Sequence, residues 1–143
     1  MAMQLVVEPG RYFIKSAAYA DRVLDVSGGS TAPNTPVIGW HWQKSDNQAW
    51  ELVETQFPNE FIIKSAIGEV FLNLSSDRSY PPKLAVQPVY VVWPIVPVAS
   101  SAFRISYPGT LQVVTLATET EGSQGILQDG TLSPTQEWTF ERA

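Results

Sequence analysis

Short apolar runs separated by turn residues recur along the whole chain. Eleven prolines and nine glycines punctuate runs rich in Val, Ile, Leu and aromatic residues, and no window longer than about ten residues keeps helical spacing. Such runs, bounded by turn signals, are typical of strands, so the pattern predicts an all-β protein. The twelve predicted strands are Gly10 to Ser16, Val23 to Val26, Pro36 to Trp40, Ala49 to Val53, Glu60 to Lys64, Val70 to Leu74, Lys83 to Gln87, Val92 to Val96, Ala102 to Ser106, Leu111 to Leu116, Gly125 to Gln128 and Glu137 to Glu141.

The predicted strands fall into three units with the same order of signals. The run YFIKSA at residues 12–17 returns as FIIKSA at 61–66 and, more weakly, as AFRIS at 102–106. Each unit closes on a tryptophan, and the period is about 45 residues, within the range of repeat architectures. We expect one domain over residues 1–143, with repeats at about 8–55, 56–99 and 100–143. Closing the units into a pseudo-threefold barrel would remove exposed strand edges.

Three four-stranded units that end in Gln-x-Trp resemble the ricin-B-type β-trefoil, and the resemblance covers the whole chain. The signature is intact at Gln48–Trp50 and Gln136–Trp138, whereas the middle unit carries Val91–Trp93. The absence of cysteine, the start EPGRYFIKSAAYADRVLDVSGG and the segment NTPVIG are similar to the small ricin-B-like lectins of mushroom fruiting bodies. Mushroom protease inhibitors of the mycocypin and mycospin type share this fold and size, so the fold alone leaves both functions open.

The resemblance implies a carbohydrate-binding protein that recognises galactose- or N-acetylgalactosamine-terminated glycans, such as lactosamine-type disaccharides. It also implies a role in defence against animals that eat the fruiting body. Several similar lectins pair, and a homodimer would join two weak sites into one avid binder. The apolar, proline-rich run from Val86 to Val98 is where we would look for that interface.

Five residues of the first repeat are the candidate sugar-binding site. A sugar needs an apolar ring against its C–H face and polar groups for its hydroxyls, and a carboxylate is the best acceptor for two hydroxyls at once. The candidates are Asp25 as acceptor, the Gly28 N–H and Asn47 as orienting groups, Trp40 as the stacking ring and His41 at the edge. Two local roles stay open, because Asp25 could cap the turn that follows it and Asn47 could be a plain loop residue.

The other two repeats serve as an internal comparison for this site. Asp25 corresponds to Asn73 and Thr115, Asn47 to Tyr90 and Thr135, and the counterparts of Trp40 lie near Gln87 and Gln128. The set survives only in the first repeat, which predicts one site per chain. Trp50, Trp93 and Trp138 recur in every unit and are therefore predicted to be core, with Gln48 and Gln136 bonding backbone.

The stretch from Trp40 to Trp42 holds two tryptophans around the chain's only histidine. If the strand continues, its side chains alternate, so that Trp40 and Trp42 share one face and His41 points to the other. No nucleophile elbow, second histidine or paired acids accompany His41, so we expect no enzyme.

Charge and composition exclude several other functions. The net charge is −5 and the nine Lys and Arg residues are scattered, which argues against nucleic acid as a partner. One histidine and no cysteine predict neither a transition-metal site nor a cofactor. The N-terminus does not resemble a secretory signal, and the run from Val89 to Val98 is too short to cross a bilayer, so we expect a cytoplasmic protein without membrane insertion.

Protease inhibition is the alternative function. A trefoil inhibitor presents an exposed loop, with Lys or Arg for trypsin-like targets or small apolar residues for cysteine proteases. Arg22, Arg78 and Lys83 lie in or beside loops, and the proline-stiffened segment Ser75–Pro82 is the candidate loop. The polar and aromatic cluster of the first repeat has no role in protease inhibition. We therefore rank protease inhibition second.

Overall fold

The computed structural model describes residues 6–98 and 101–143, which form an all-β fold. Twelve strands are joined by turns and by three short 3₁₀ segments, at Ser27–Gly29, Asp46–Gln48 and Pro134–Gln136. The strands are β1 Gly10–Ser16, β2 Arg22–Val26, β3 Thr35–His41, β4 Ala49–Glu54, β5 Glu60–Ser65, β6 Phe71–Leu74, β7 Leu84–Gln87, β8 Val92–Pro97, β9 Phe103–Ile105, β10 Gln112–Thr115, β11 Ile126–Asp129 and β12 Trp138–Arg142.

Six of the strands close into a barrel. They pair in the order β1, β4, β5, β8, β9, β12, and β12 then pairs with β1 over five residue pairs from Tyr12–Arg142 to Ser16–Trp138. Alternating burial along β5, from half-buried Glu60 to buried Ser65, is what the period-two pattern predicts for a strand with one face on the core. Closure leaves this ring without a free edge.

The other six strands form three hairpins, one from each repeat. These hairpins are β2–β3, β6–β7 and β10–β11. β3 pairs with β7, and isolated bridges join Ile38 to Gln124 and Lys83 to Ile126, so each hairpin contacts the next. The predicted barrel with a hairpin cap is confirmed.

The three recurring tryptophans lie at equivalent places in the core. Trp50, Trp93 and Trp138 are fully buried, as the repeats predict. Each indole Nε1–H donates to a backbone carbonyl of the second strand in its own unit, at 3.0 to 3.1 Å. The acceptors are, in the same order, Leu24, Leu72 and Val114. A buried indole N–H needs such a partner, so one contact repeated three times supports the symmetry.

All twelve predicted strands are present, with bounds that differ by two residues or fewer. Leu111 is 86% exposed and lies outside β10, and Ser106 pairs only through an isolated bridge to Val113. The predicted boundary between the second and third repeats, at residues 99 and 100, lies outside the described residues, as does the N-terminal segment 1–5 that bore on the cytoplasmic prediction. In the part of the chain that the structure describes, no helix has the length and apolar character to cross a membrane.

The apolar run from Val86 to Val98 divides between core and surface. Val86, Trp93 and Ile95 are buried, whereas Val89, Tyr90 and Val96 are exposed. Much of the run is therefore explained by packing. A dimer interface on its exposed residues stays a prediction.

Replacing one core tryptophan tests the repeated indole bond. Trp93→Phe keeps an aromatic ring in place but leaves the buried carbonyl of Leu72 without its donor. We expect the free energy of unfolding to fall by about 1–3 kcal/mol, measured by urea denaturation. Trp42→Phe is the matched control, because the buried Nε1 of Trp42 has no hydrogen-bond partner among the described residues. An equal loss in both variants would show that ring size, rather than the bond, sets the stability.

Candidate functional site

The first repeat contains an open pocket at the end of its hairpin. Its cavity is about 430 Å³, and it brings together four of the five predicted site residues. The lining residues are Asp25, Ser27, Gly28, Ile38, Trp40, Gln43 and Asn47. His41 is not among them.

Local backbone geometry brings the first half of the pocket together. Asp25 lies one residue before the end of β2, and the chain then turns through the 3₁₀ segment Ser27–Gly29. Gly28 and Gly29 both have positive φ, 63° and 67°, a region that residues with a Cβ rarely adopt. Gly28 is exposed, and no heavy atom lies within 4 Å of where its Cβ would be. The turn therefore leaves open space beside Gly28.

Asp25 is a buried carboxylate held by two side-chain amides. Only 2% of the residue is exposed. Asn47 Nδ2 donates to its Oδ1 at 3.2 Å, and Gln48 Nε2 donates to its Oδ2 at 2.9 Å. Burial raises the pKa of Asp25 above the ordinary aspartate value, while the bond from Gln48 and the nearby His41 ring act in the opposite direction. The bonds to the Asp25 carboxylate come from Asn47 and Gln48 and not from the turn Ser27–Gly29, so the capping alternative is not supported.

Gln48 connects the pocket to the scaffold. Its Oε1 accepts the Gln43 backbone N–H at 2.9 Å, and its Nε2 donates to the His41 carbonyl at 2.8 Å. Gln136 makes the equivalent bonds to Thr131 and Asp129, so the prediction that both glutamines bond backbone is confirmed. The additional bond from Gln48 to Asp25 was not predicted. A carboxylate at the Asp25 position of a repeat that keeps Gln-x-Trp is the signal that could have indicated it, since the threonine of the third repeat makes no such bond.

Asn47 joins the two sides of the pocket. Its Nδ2 also donates to the Val26 carbonyl at 3.1 Å, and its Oδ1 accepts the Ser45 hydroxyl at 2.6 Å. Because it connects the 3₁₀ segment Asp46–Gln48 with the end of β2, it is more than a plain loop residue. Its side chain lines the cavity while it orients Asp25.

Trp40 supplies the aromatic wall, and His41 lies beside it at the outer edge. The two ring centroids are 5.6 Å apart and the planes are inclined by 33°. His41 Nδ1 contacts Glu121 Oε1 at 2.5 Å, and the His41 backbone N–H donates to the same oxygen at 2.9 Å. The hydrogen bond from His41 is the largest of the effects that lower the pKa of Glu121. Glu121 belongs to the third repeat and was not predicted.

The alternation from Trp40 to Trp42 was expected if the strand continues. β3 ends at His41, so this condition is not met at Trp42. Trp42 instead packs edge-on against Phe13, with the Lys15 ammonium 4.0 Å from the centre of its ring, and it does not line the pocket.

The corresponding positions of the other repeats carry different contacts. The indole bonds show that Asp25, Asn73 and Thr115 are at equivalent positions, because each follows directly after the residue whose carbonyl accepts the bond. Asn73 Nδ2 donates to the Val89 carbonyl, and the buried Thr115 hydroxyl donates to the Val113 carbonyl. Neither repeat combines a buried carboxylate with a facing aromatic ring.

Two other features bear on the predicted functions. Arg78 and Tyr80 of the segment Ser75–Pro82 are exposed, and the loop is braced by the bonds from Ser79 N–H to Asp77 Oδ1 and from Lys83 Nζ to Ser79 Oγ.

Over residues 6–98 and 101–143, no three or more His, Cys, Asp or Glu side chains are grouped to hold a metal ion.

Comparison with known proteins finds one family match and solved structures of the same fold. The family model described as "Ricin-type beta-trefoil lectin domain-like" matches residues 4–87. The agglutinin of Rhizoctonia solani superposes with a TM-score of 0.89 at 21% identity, covering 99% of this chain and 100% of its own. The Macrolepiota procera ricin B-like lectin, solved in complex with lactose, has a TM-score of 0.85 at 23% identity, covering 98% and 100%.

An animal lectin gives a third comparison. The C-half of the earthworm R-type lectin, solved in complex with GalNAc, has a TM-score of 0.71 at 21% identity, covering 94% of this chain and 100% of its own. At these identities the structures establish the shared fold.

The raised pKa of Asp25 predicts a stability effect that depends on pH. Because the folded protein holds this proton more tightly than the unfolded chain, the contribution of Asp25 to the free energy of unfolding falls as pH rises from the ordinary aspartate pKa through the raised value. Asp25→Asn removes this dependence of the free energy of unfolding on pH. At neutral pH we expect its stability to stay within about 1 kcal/mol of the parent, since one lost hydrogen bond is offset by removal of a buried charge.

Urea unfolding of both proteins across a pH series measures this effect. Asp129→Asn, at an exposed position, controls for the loss of one negative charge. A much larger loss of stability at neutral pH in Asp25→Asn alone would show that the carboxylate is required by the fold.

Proposed function

This chain belongs to the ricin-type β-trefoil lectin domain-like family, and on that premise we propose that it is a lectin with one sugar-binding site, the pocket of the first repeat. Its site residues are Asp25, Gly28, Trp40 and Asn47, with His41 at the edge. We further propose that the bound sugar is galactose or N-acetylgalactosamine at the end of a glycan. We also propose that the protein has a role in defence.

The observation that carries this proposal is the convergence of four different groups on one cavity. A buried carboxylate, an amide, an open glycine turn and an aromatic ring line the same pocket. Packing alone gives no reason for a charged Asp25, because the equivalent places in the other repeats hold Asn73 and Thr115. A buried charge lowers stability unless it is well paired, so its presence in the repeat that also has Trp40 favours a ligand.

The geometry suits a sugar with two neighbouring hydroxyls. An ionised carboxylate has about four acceptor sites, and the amides of Asn47 and Gln48 occupy two of those on Asp25. Asp25 lines the cavity, and we propose that its remaining acceptor sites take ligand hydroxyls while the open space at Gly28 lets its backbone N–H approach the sugar. Trp40 can cover the apolar face of the sugar ring.

The relatives support the choice of sugar. The Macrolepiota procera lectin was solved with lactose, which ends in galactose, and the earthworm lectin half was solved with GalNAc. We therefore propose that Asp25 accepts bonds from two neighbouring hydroxyls of a galactose-type ring.

Sugar binding tests the proposal directly. We expect the parent protein to bind lactose or GalNAc in calorimetry, and Asp25→Asn to weaken binding by roughly ten- to a hundredfold, because charge-assisted hydrogen bonds are lost. Asn73→Ala, the matched change in the second repeat, should bind as the parent does. Loss of binding in Asn73→Ala instead would move the site to the second repeat.

The inhibitor alternative gives a different result in the same experiments. Its support is the exposed, braced loop with Arg78 and Tyr80. A parent protein that binds no sugar on a glycan array but inhibits trypsin or papain stoichiometrically, and loses this inhibition in Arg78→Ala, would replace the lectin proposal.

A further inference from the structure

A segment of the third repeat, residues 119–123, runs beside β3 next to Trp40 of the first-repeat pocket. Two backbone bonds join Gly39 of β3 to this segment, from Gly122 N–H to the Gly39 carbonyl at 2.9 Å and from Gly39 N–H to the Ser123 carbonyl at 2.8 Å. A Cβ on Gly122 would lie 4.0 Å from the Trp40 ring. The segment therefore runs directly beside the proposed stacking ring.

Glu121 is held in place on this segment while it still reaches solvent. Its Oε1 accepts both from the backbone N–H and from the ring Nδ1 of His41. Its side chain is 36% exposed. Two bonds from one residue give the Glu121 carboxylate a defined position against His41.

Two carboxylates, those of Asp21 and Glu121, lie at this edge with one guanidinium and the His41 ring. Arg22 is the nearby guanidinium, and its Nε donates to the Glu119 carbonyl at 2.7 Å. Its Nη1 lies 3.5 Å from an Asp21 carboxylate oxygen and 3.9 Å from Glu121 Oε1. One arginine thus faces two carboxylates at the edge, and Asp25 adds a third within the pocket.

We propose that Glu121 is a specificity-determining residue that makes the pocket select neutral glycans over glycans with an acidic sugar next to the bound residue. The inference rests on the proposed function, since it concerns what surrounds the sugar in the same pocket. A substituent of a sugar stacked on Trp40 passes the Glu121 carboxylate. Repulsion between the Glu121 carboxylate and the carboxylate of an acidic sugar close to it corresponds to roughly a three- to tenfold loss of affinity. Salt reduces this repulsion.

The test compares three related probes with the parent and Glu121→Gln. The probes are lactose, 6′-sialyllactose and the methyl ester of 6′-sialyllactose, which keeps the bulk of the acidic sugar but removes its charge. A glutamine oxygen can still accept both His41 bonds, and the lactose affinity of each protein is the reference for its own ratio of ester to acid. We expect the parent to bind the ester roughly three- to tenfold more tightly than the acid, and Glu121→Gln to bring this ratio close to one.

Glu119→Gln is the matched control. It removes one negative charge from the same segment, whereas Glu119 contacts Arg22 through its backbone carbonyl. We expect this control to keep most of the parent ratio. In the parent, the ratio should also shrink as the salt concentration rises.

The outcomes separate this inference from the proposed function. If the parent binds lactose but binds the acid and the ester equally, Glu121 does not determine specificity while the lectin proposal stands. An equal change of the ratio in Glu119→Gln and Glu121→Gln would attribute the selection to overall charge and overturn the role of Glu121. If the parent binds no lactose, both the proposed galactose specificity and the role of Glu121 fall.

Discussion

The hydrogen bond from the Trp50 indole to the Leu24 carbonyl is the constraint on which the first repeat depends. This bond fixes β2 against β4, the closing strand of the repeat. Residues on both sides of the pocket are close neighbours in sequence of its donor or its acceptor. Asp25 follows the acceptor, while Gln48 comes two residues before the donor and reaches back to the Asp25 carboxylate. A core contact thus sets the position of the polar groups at the surface.

Comparison with the other repeats shows which contacts of the first repeat belong to the shared scaffold and which belong to the pocket. Trp93 and Trp138 make the same indole bond, so the barrel does not need what the first repeat adds. Gln136 also keeps the backbone bonds of Gln48, but the residue at the Asp25 position is a threonine that bonds its own strand. The scaffold bonds therefore form in repeats that lack a carboxylate at this position, so the buried charge of Asp25 is an addition that the barrel does not require.

Much of the fold and part of the candidate site could be predicted from the sequence. Strand positions follow from local apolar runs and turn residues, and the core role of Trp50 follows from its recurrence. The positions of Asp25 and Asn47 were predictable because they sit at fixed offsets from repeated landmarks. Glu121 was not, because it lies 80 residues from His41 and occurs in a loop without a recurring pattern. The orientation of Trp42 was missed because a strand end depends on tertiary contacts, here the end of β3 at His41.

The bonds between Gly39 and the Gly122–Ser123 segment have a consequence for how the protein acquires its pocket. All the residues that line the cavity belong to the first repeat, yet β3, which carries Trp40, is bonded at Gly39 to chain that is synthesised about eighty residues later. Contacts this distant in sequence form late, because a long loop must close first. A nascent chain that has released only its first repeat therefore lacks the two bonds that hold Gly39 of β3, and these form only when the third repeat has been added.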